Sequence, residues 1–95
     1  MLLDFPTDVD LAAKNISPFI RKTYFSYATV FSNLLNTDVR FKMENLQVTG
    51  SFKARGAVNK LLSLTKNERQ KGVVSASTGN HGAAVAYAAQ KLNVK

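Results

Sequence analysis

The sequence predicts an α/β domain built from parallel strand–helix units. Three observations predict it. Strand-like and helix-like segments alternate from residue 39 onward: an alternating run, a helical stripe, a short apolar run, a second helical run and the start of another strand. Ala54, Ala57, Val58, Leu61 and Leu62 fall at i, i+3, i+4, i+7 and i+8, one face of a helix. The run "VVSAS" at 73–77 enters a Thr-Gly-Asn turn and then a helix rich in small residues, the order of a strand feeding a crossover.

Taken in order, Asp8 or Asp10 is placed to cap a short helix through "LAAKNI", which Pro18 ends. "TYFS" reads as a short strand or extended segment. "YATVFSNLLN" has apolar residues at 27, 30, 31, 34 and 35, which is helical spacing. "DVRFKME" alternates, with Val39, Phe41 and Met43 on one face of a strand. "ENLQVTG" is a connector that turns at Gly50, and a helix is expected from about Ser51 to Leu64. "TKNERQKG" is a polar link closed by Gly72; "VVSAS" is a short buried strand. "TGNHG" is a turn, "AAVAYAAQKL" a helix, and "NVK" the opening of a further strand. A chain that stops there is expected to be a portion of a longer protein.

Composition narrows the function. The 95 residues suit about one small domain, and at 45% hydrophobic it can bury a modest core. There is no cysteine, which removes disulfides and thiolate metal sites, and His81 is the single histidine. No segment approaches the ~20 apolar residues of a membrane span. The start, "MLLDFPTDVDLAAKN", lacks the basic n-region and apolar core of a secretory signal, so a cytoplasmic setting is expected. The net charge of +7 sits entirely in residues 51–95; residues 1–50 balance to zero. The basic residues are dispersed and no aromatics interleave with them, so nucleic acid is not the expected partner.

Two stretches admit chemistry. In "TGSFKARGAVNK", 49–60, Lys53 shares a helix side with Gly56, Lys60, Ser63 and Asn67, an ordinary solvated face. Yet a cation in the first helical turn opposes the dipole. Gly56 on the same side costs a helix about 0.5–1 kcal/mol and leaves room for something to approach. In "SASTGNHGAAVAYAA", 75–89, either Ser77, Thr78 or Asn80 caps the helix, or the turn receives an anion on its backbone N–H groups. In open α/β sheets, ligands gather at such strand ends.

Together, "KMENLQVTGSFKARGAVNK" and the later "SASTGNHGAAVAYAA" resemble the serine/threonine dehydratase and serine racemase family. These are pyridoxal-phosphate enzymes of fold type II, with a tryptophan-synthase-β-like fold. The resemblance covers nearly the whole chain, as the N-terminal portion of a longer protein. It implies that residues 1–71 begin the large cofactor domain and 72–95 begin the small domain. It makes Lys53 the amine that bonds the cofactor's aldehyde and then serves as base at the substrate Cα. Phe52 resembles the residue beside the cofactor ring, and Asn80 the one that bonds the ring hydroxyl. Ser77, Thr78, Gly79, Asn80 and His81 match the loop that receives the substrate carboxylate.

The implied reaction is dehydration and deamination of L-threonine or L-serine to a 2-oxo acid and ammonia, by a homo-oligomer when complete. The alternatives are an amino-acid racemase, a threonine-synthase-like enzyme, or a non-catalytic basic binding module. Three departures bear on the choice. The family's Gly-rich cup for the cofactor phosphate, and the residue facing the pyridine nitrogen, lie downstream of this sequence. Ala83 stands where relatives often carry glutamine. Thr78 stands where dehydratases commonly have alanine and racemases serine.

Overall fold

The computed structural model describes residues 4–95; residues 1–3, assigned by resemblance to the large cofactor domain, lie outside the described residues. The elements run α1 (Phe5–Ile16), β1 (Phe25–Tyr27), α2 (Thr29–Leu35), β2 (Arg40–Lys42), α3 (Lys53–Ser63), α4 (Lys66–Lys71) and α5 (Asn80–Leu92). α1 begins earlier than the sequence suggested. Asp4, rather than Asp8 or Asp10, caps it by accepting from the Thr7 N–H, and Pro6 fits the first turn, where no N–H is needed. Pro18 lies in a 3₁₀ turn, Ser17–Phe19, that follows the helix directly.

β1 and β2 pair antiparallel, with Phe25 opposite Lys42 and Tyr27 opposite Arg40. α2 is only two turns long, and Asn36 closes it in the left-handed region (φ 49°), so the chain turns back along β1. Ser32 fastens the return: its Oγ accepts from the Val39 N–H at 3.0 Å. The apolar residues of α2 do have helical spacing, but Val30, Phe31, Leu34 and Leu35 are all exposed, and Ser32 is the buried one. Of that face, Phe31 meets the Phe41 ring of β2 edge-on at 5.5 Å.

The core lies between α3 and α5, with the end of α1 alongside. Ala54, Ala57, Val58 and Leu61 are buried as the stripe predicts, and Leu62 is half-buried. Ala84 and Ala88 face them from α5, so small side chains let the two helices approach closely. Val58 is fully enclosed, which contributes about 1.5–3 kcal/mol. Tyr87 donates its hydroxyl to the Phe19 carbonyl and ties α5 to the end of α1.

The link "TKNERQKG" is not merely polar; it contains α4. Thr65 and Glu68 form a reciprocal capping box, and the Thr65 N–H holds the Glu68 carboxyl below its ordinary range. Gly72 then takes φ 85°, and an added Cβ there would lie 2.8 Å from the Lys95 carbonyl oxygen. The run at 73–77 is extended but is not a strand, and Val74 is fully exposed. The cause is ladder partners: a single bond, Val73 N–H to the Lys95 oxygen at 2.7 Å, joins it to the end of the chain.

Candidate functional site

The lysine is delivered by an unusual turn. Thr49 (φ 64°) and Gly50 (φ 78°) stand in succession in the left-handed region. Glycine does so freely, but for β-branched Thr49 the conformation costs on the order of 1 kcal/mol. The chain leaves the turn through Ser51, whose Oγ accepts from the Lys53 N–H at 3.3 Å, and α3 starts at once. The Lys53 ammonium lies 5.2 Å from the centre of the Phe52 ring, and both side chains are exposed. Among the described residues, no carboxylate lies within ion-pairing distance of Lys53.

The second turn is open. Gly79 precedes α5 and offers no side-chain cap, so the capping roles considered for Ser77, Thr78 and Asn80 are not used. Ser77 instead accepts from the Gly79 N–H at 3.3 Å. It folds close over Gly82, where an added Cβ would lie 3.0 Å from the Ser77 carbonyl oxygen. The first i→i−4 bond runs from Ala83 to Gly79, which leaves the N–H groups of Asn80, His81 and Gly82 without intrahelical partners at the positive end of the helix dipole. Asn80 and His81, expected in the turn, thus belong to the first turn of α5.

The helices that follow the two turns, α3 and α5, border a depression of about 490 Å³ together with residues 73–75. Lys53, Phe52 and His81 line it together with Gly56, Lys60 and Ser75. Lys53, Gly56 and Lys60, which the sequence reads as a plain polar face, therefore form one of its walls. Ser77, Thr78, Gly79 and Asn80 do not line it; they form the exposed loop that leads into α5. Ser75 and Lys60 are lining residues that the sequence did not single out.

Sequence reasoning also passed over the residues that hold the first turn. Arg55 makes a two-pronged ion pair with Glu44, Nε and Nη2 each 2.8 Å from a carboxylate oxygen. Thr23 Oγ1 donates to the same carboxylate at 2.6 Å. These bonds, the Arg55 guanidinium first, pull the Glu44 carboxyl down to about 2, against burial, which opposes them. The "ENLQ" lead-in was the available signal, since its charged and amide groups recur at helical spacing beside the lysine.

A family described as "Pyridoxal-phosphate dependent enzyme" matches residues 16–95. An L-threonine ammonia-lyase of Thermotoga maritima is 46% identical over 87 residues, 92% of this chain and 22% of that protein. A catabolic L-threonine dehydratase of Staphylococcus aureus is 42% identical over 88 residues, 92% of this chain and 25% of that protein. The crystal structure of a serine racemase from Dictyostelium discoideum superposes with a TM-score of 0.88 at 45% identity, covering 94% of this chain and 29% of that one. The chain thus spans roughly a quarter of the length of these relatives.

Proposed function

The chain belongs to the pyridoxal-phosphate dependent enzyme family, and on that premise we propose that the complete protein converts L-threonine or L-serine to a 2-oxo acid and ammonia. One observation carries the reading: an exposed, unpaired lysine and the open start of α5 face one depression. The residues suit pyridoxal phosphate. A primary amine is what an aldehyde requires, and Lys53 has one that no carboxylate engages among the described residues. Gly56 adds room: a Cβ built there meets nothing within 4 Å.

In this proposal the Lys53 amine would hold the cofactor and would serve as the base for the substrate Cα proton. Bound pyridoxal phosphate supplies an electron sink for the charge left at Cα. Phe52 packs beside the ring, and Asn80 bonds its hydroxyl. Ser77, Thr78, Gly79, Asn80 and His81 receive the substrate carboxylate, supported by the unpartnered N–H groups at the start of α5. The Cα–H and Cβ–O bonds break, water leaves, and the released enamine hydrolyses to the 2-oxo acid and ammonia.

The proposal also assigns 1–71 to the large cofactor domain and 72–95 to the start of the small domain, with the α3–α5 contact as the seam. The proposed setting is the cytoplasm and the proposed assembly a homo-oligomer. Likeness to a serine racemase favours a second reading, racemisation, for which the Thr78 hydroxyl is the candidate proton donor. Threonine's stiff χ1 restricts where that hydroxyl points, so elimination ranks first. The test is the complete protein with L-serine, following pyruvate and D-serine together. Pyruvate forming faster supports the lyase; D-serine forming faster selects the racemase.

A further inference from the structure

Four residues outside the depression are joined to one another around the turn that delivers Lys53. Glu44 sits at their centre. Its carboxylate is gripped by Arg55, two residues beyond the lysine on α3, and by Thr23, before β1. Its Oε2 also accepts from Gln47 Nε2 at 3.4 Å. Gln47 is 2% exposed and uses its whole amide. Its Oε1 accepts from the Arg21 N–H at 2.8 Å and the Val48 N–H at 2.9 Å, and its Nε2 donates to the Arg21 carbonyl at 2.9 Å. The network therefore grips the chain just before the Thr49–Gly50 turn and just after Lys53.

A left-handed threonine persists only where its surroundings over-determine it. Here α5 packs against the turn, and this network holds the chain on either side of it. Glu44, Gln47, Arg55 and Thr23 do not line the depression, so any influence they have on its lysine runs through the turn they hold. We propose that Glu44 is a positioning residue for the Lys53 amine, fixing through Arg55 and Gln47 the turn that aims the lysine into the depression. This rests on the reading of Lys53 as the cofactor lysine.

The test uses the complete protein in three variants. Glu44→Gln removes the charge but keeps the shape; Thr23→Val is milder and guards against misfolding. Glu68→Gln, in the α4 capping box, is the structural control. Before any cofactor is added, peptide-level hydrogen exchange reports on residues 44–52, and competitive acetylation reports on Lys53 relative to Lys60. The proposal expects exchange over 44–52 to quicken and the Lys53 acetylation rate to change by about tenfold in Glu44→Gln, by about threefold in Thr23→Val, and in neither respect in Glu68→Gln. In turnover, kcat should fall about tenfold in Glu44→Gln with KM for L-threonine little changed. Exchange and acetylation that match wild type, or that track the control, overturn the proposal. Should the cofactor instead attach to Lys60, the functional reading fails, and the exchange and acetylation results still decide whether Glu44 sets the turn.

Discussion

The turn before α3 and the turn before α5 both deliver residues to the same depression, yet they are held in opposite ways. The first is closed: Glu44, Gln47, Arg55 and Thr23 satisfy one another, and a left-handed threonine sits inside their grip. The second is open: one bond from Gly79 to Ser77 shapes it, and three N–H groups at the start of α5 have no intrahelical partner. Under the proposed function, a lysine that bonds an aldehyde gains from a fixed starting point, and a carboxylate site gains from donors left free until the ligand arrives. The difference in construction matches the difference in task.

Removing each turn's functional group should separate those tasks. In the complete enzyme, Lys53→Ala should lower turnover of L-threonine by about a thousandfold or more, since it removes both the bond to the cofactor and the base. Asn80→Ala should have a smaller effect, about ten- to a hundredfold, and Lys66→Ala, on exposed α4, almost none. Steady-state kinetics on the three variants checks the ranking. Equal losses in Asn80→Ala and Lys66→Ala would mean that the open turn is ordinary surface.

The closed turn should also leave a mark on acid stability. Arg55, with Thr23 beside it, pulls the Glu44 carboxyl down to about 2 from an ordinary 4.5. A depressed carboxyl stabilises the fold fully above its unfolded value and loses that contribution as pH falls through the folded one. Denaturant unfolding of the wild type and Glu44→Gln should therefore differ most above pH 4.5, with the gap closing by about 3 kcal/mol toward pH 2. Parallel pH profiles would mean that Glu44 is not the anchor described here.

Much of this was legible in the sequence. The stripe from Ala54 to Leu62 predicted α3 and its buried face, and the motif around Lys53 carried the resemblance to the family that the chain matches. The less legible features depended on partners distant in the chain. Val39, Phe41 and Met43 gave β2 but not its direction, because the reversal depends on left-handed Asn36 at the end of α2. The polarity of "TKNERQKG" concealed α4, whose stability is local and comes from Thr65 and Glu68. "VVSAS" has the composition of a strand, but composition supplies no ladder partner, and only Lys95 bonds to Val73. Lys53 is exposed, as the wheel of α3 shows, but the wheel of one helix cannot show the depression beside it, which α5 and residues 73–75 complete.

The measurement that bears most directly on the account is where the cofactor attaches. The complete protein, loaded with pyridoxal phosphate, reduced with borohydride and digested, should yield one pyridoxyl-bearing peptide, with the label on Lys53. Lys60 lines the same depression and is the built-in competitor. A label on Lys60, or spread over several lysines, would contradict the claim that the closed turn exists to present Lys53.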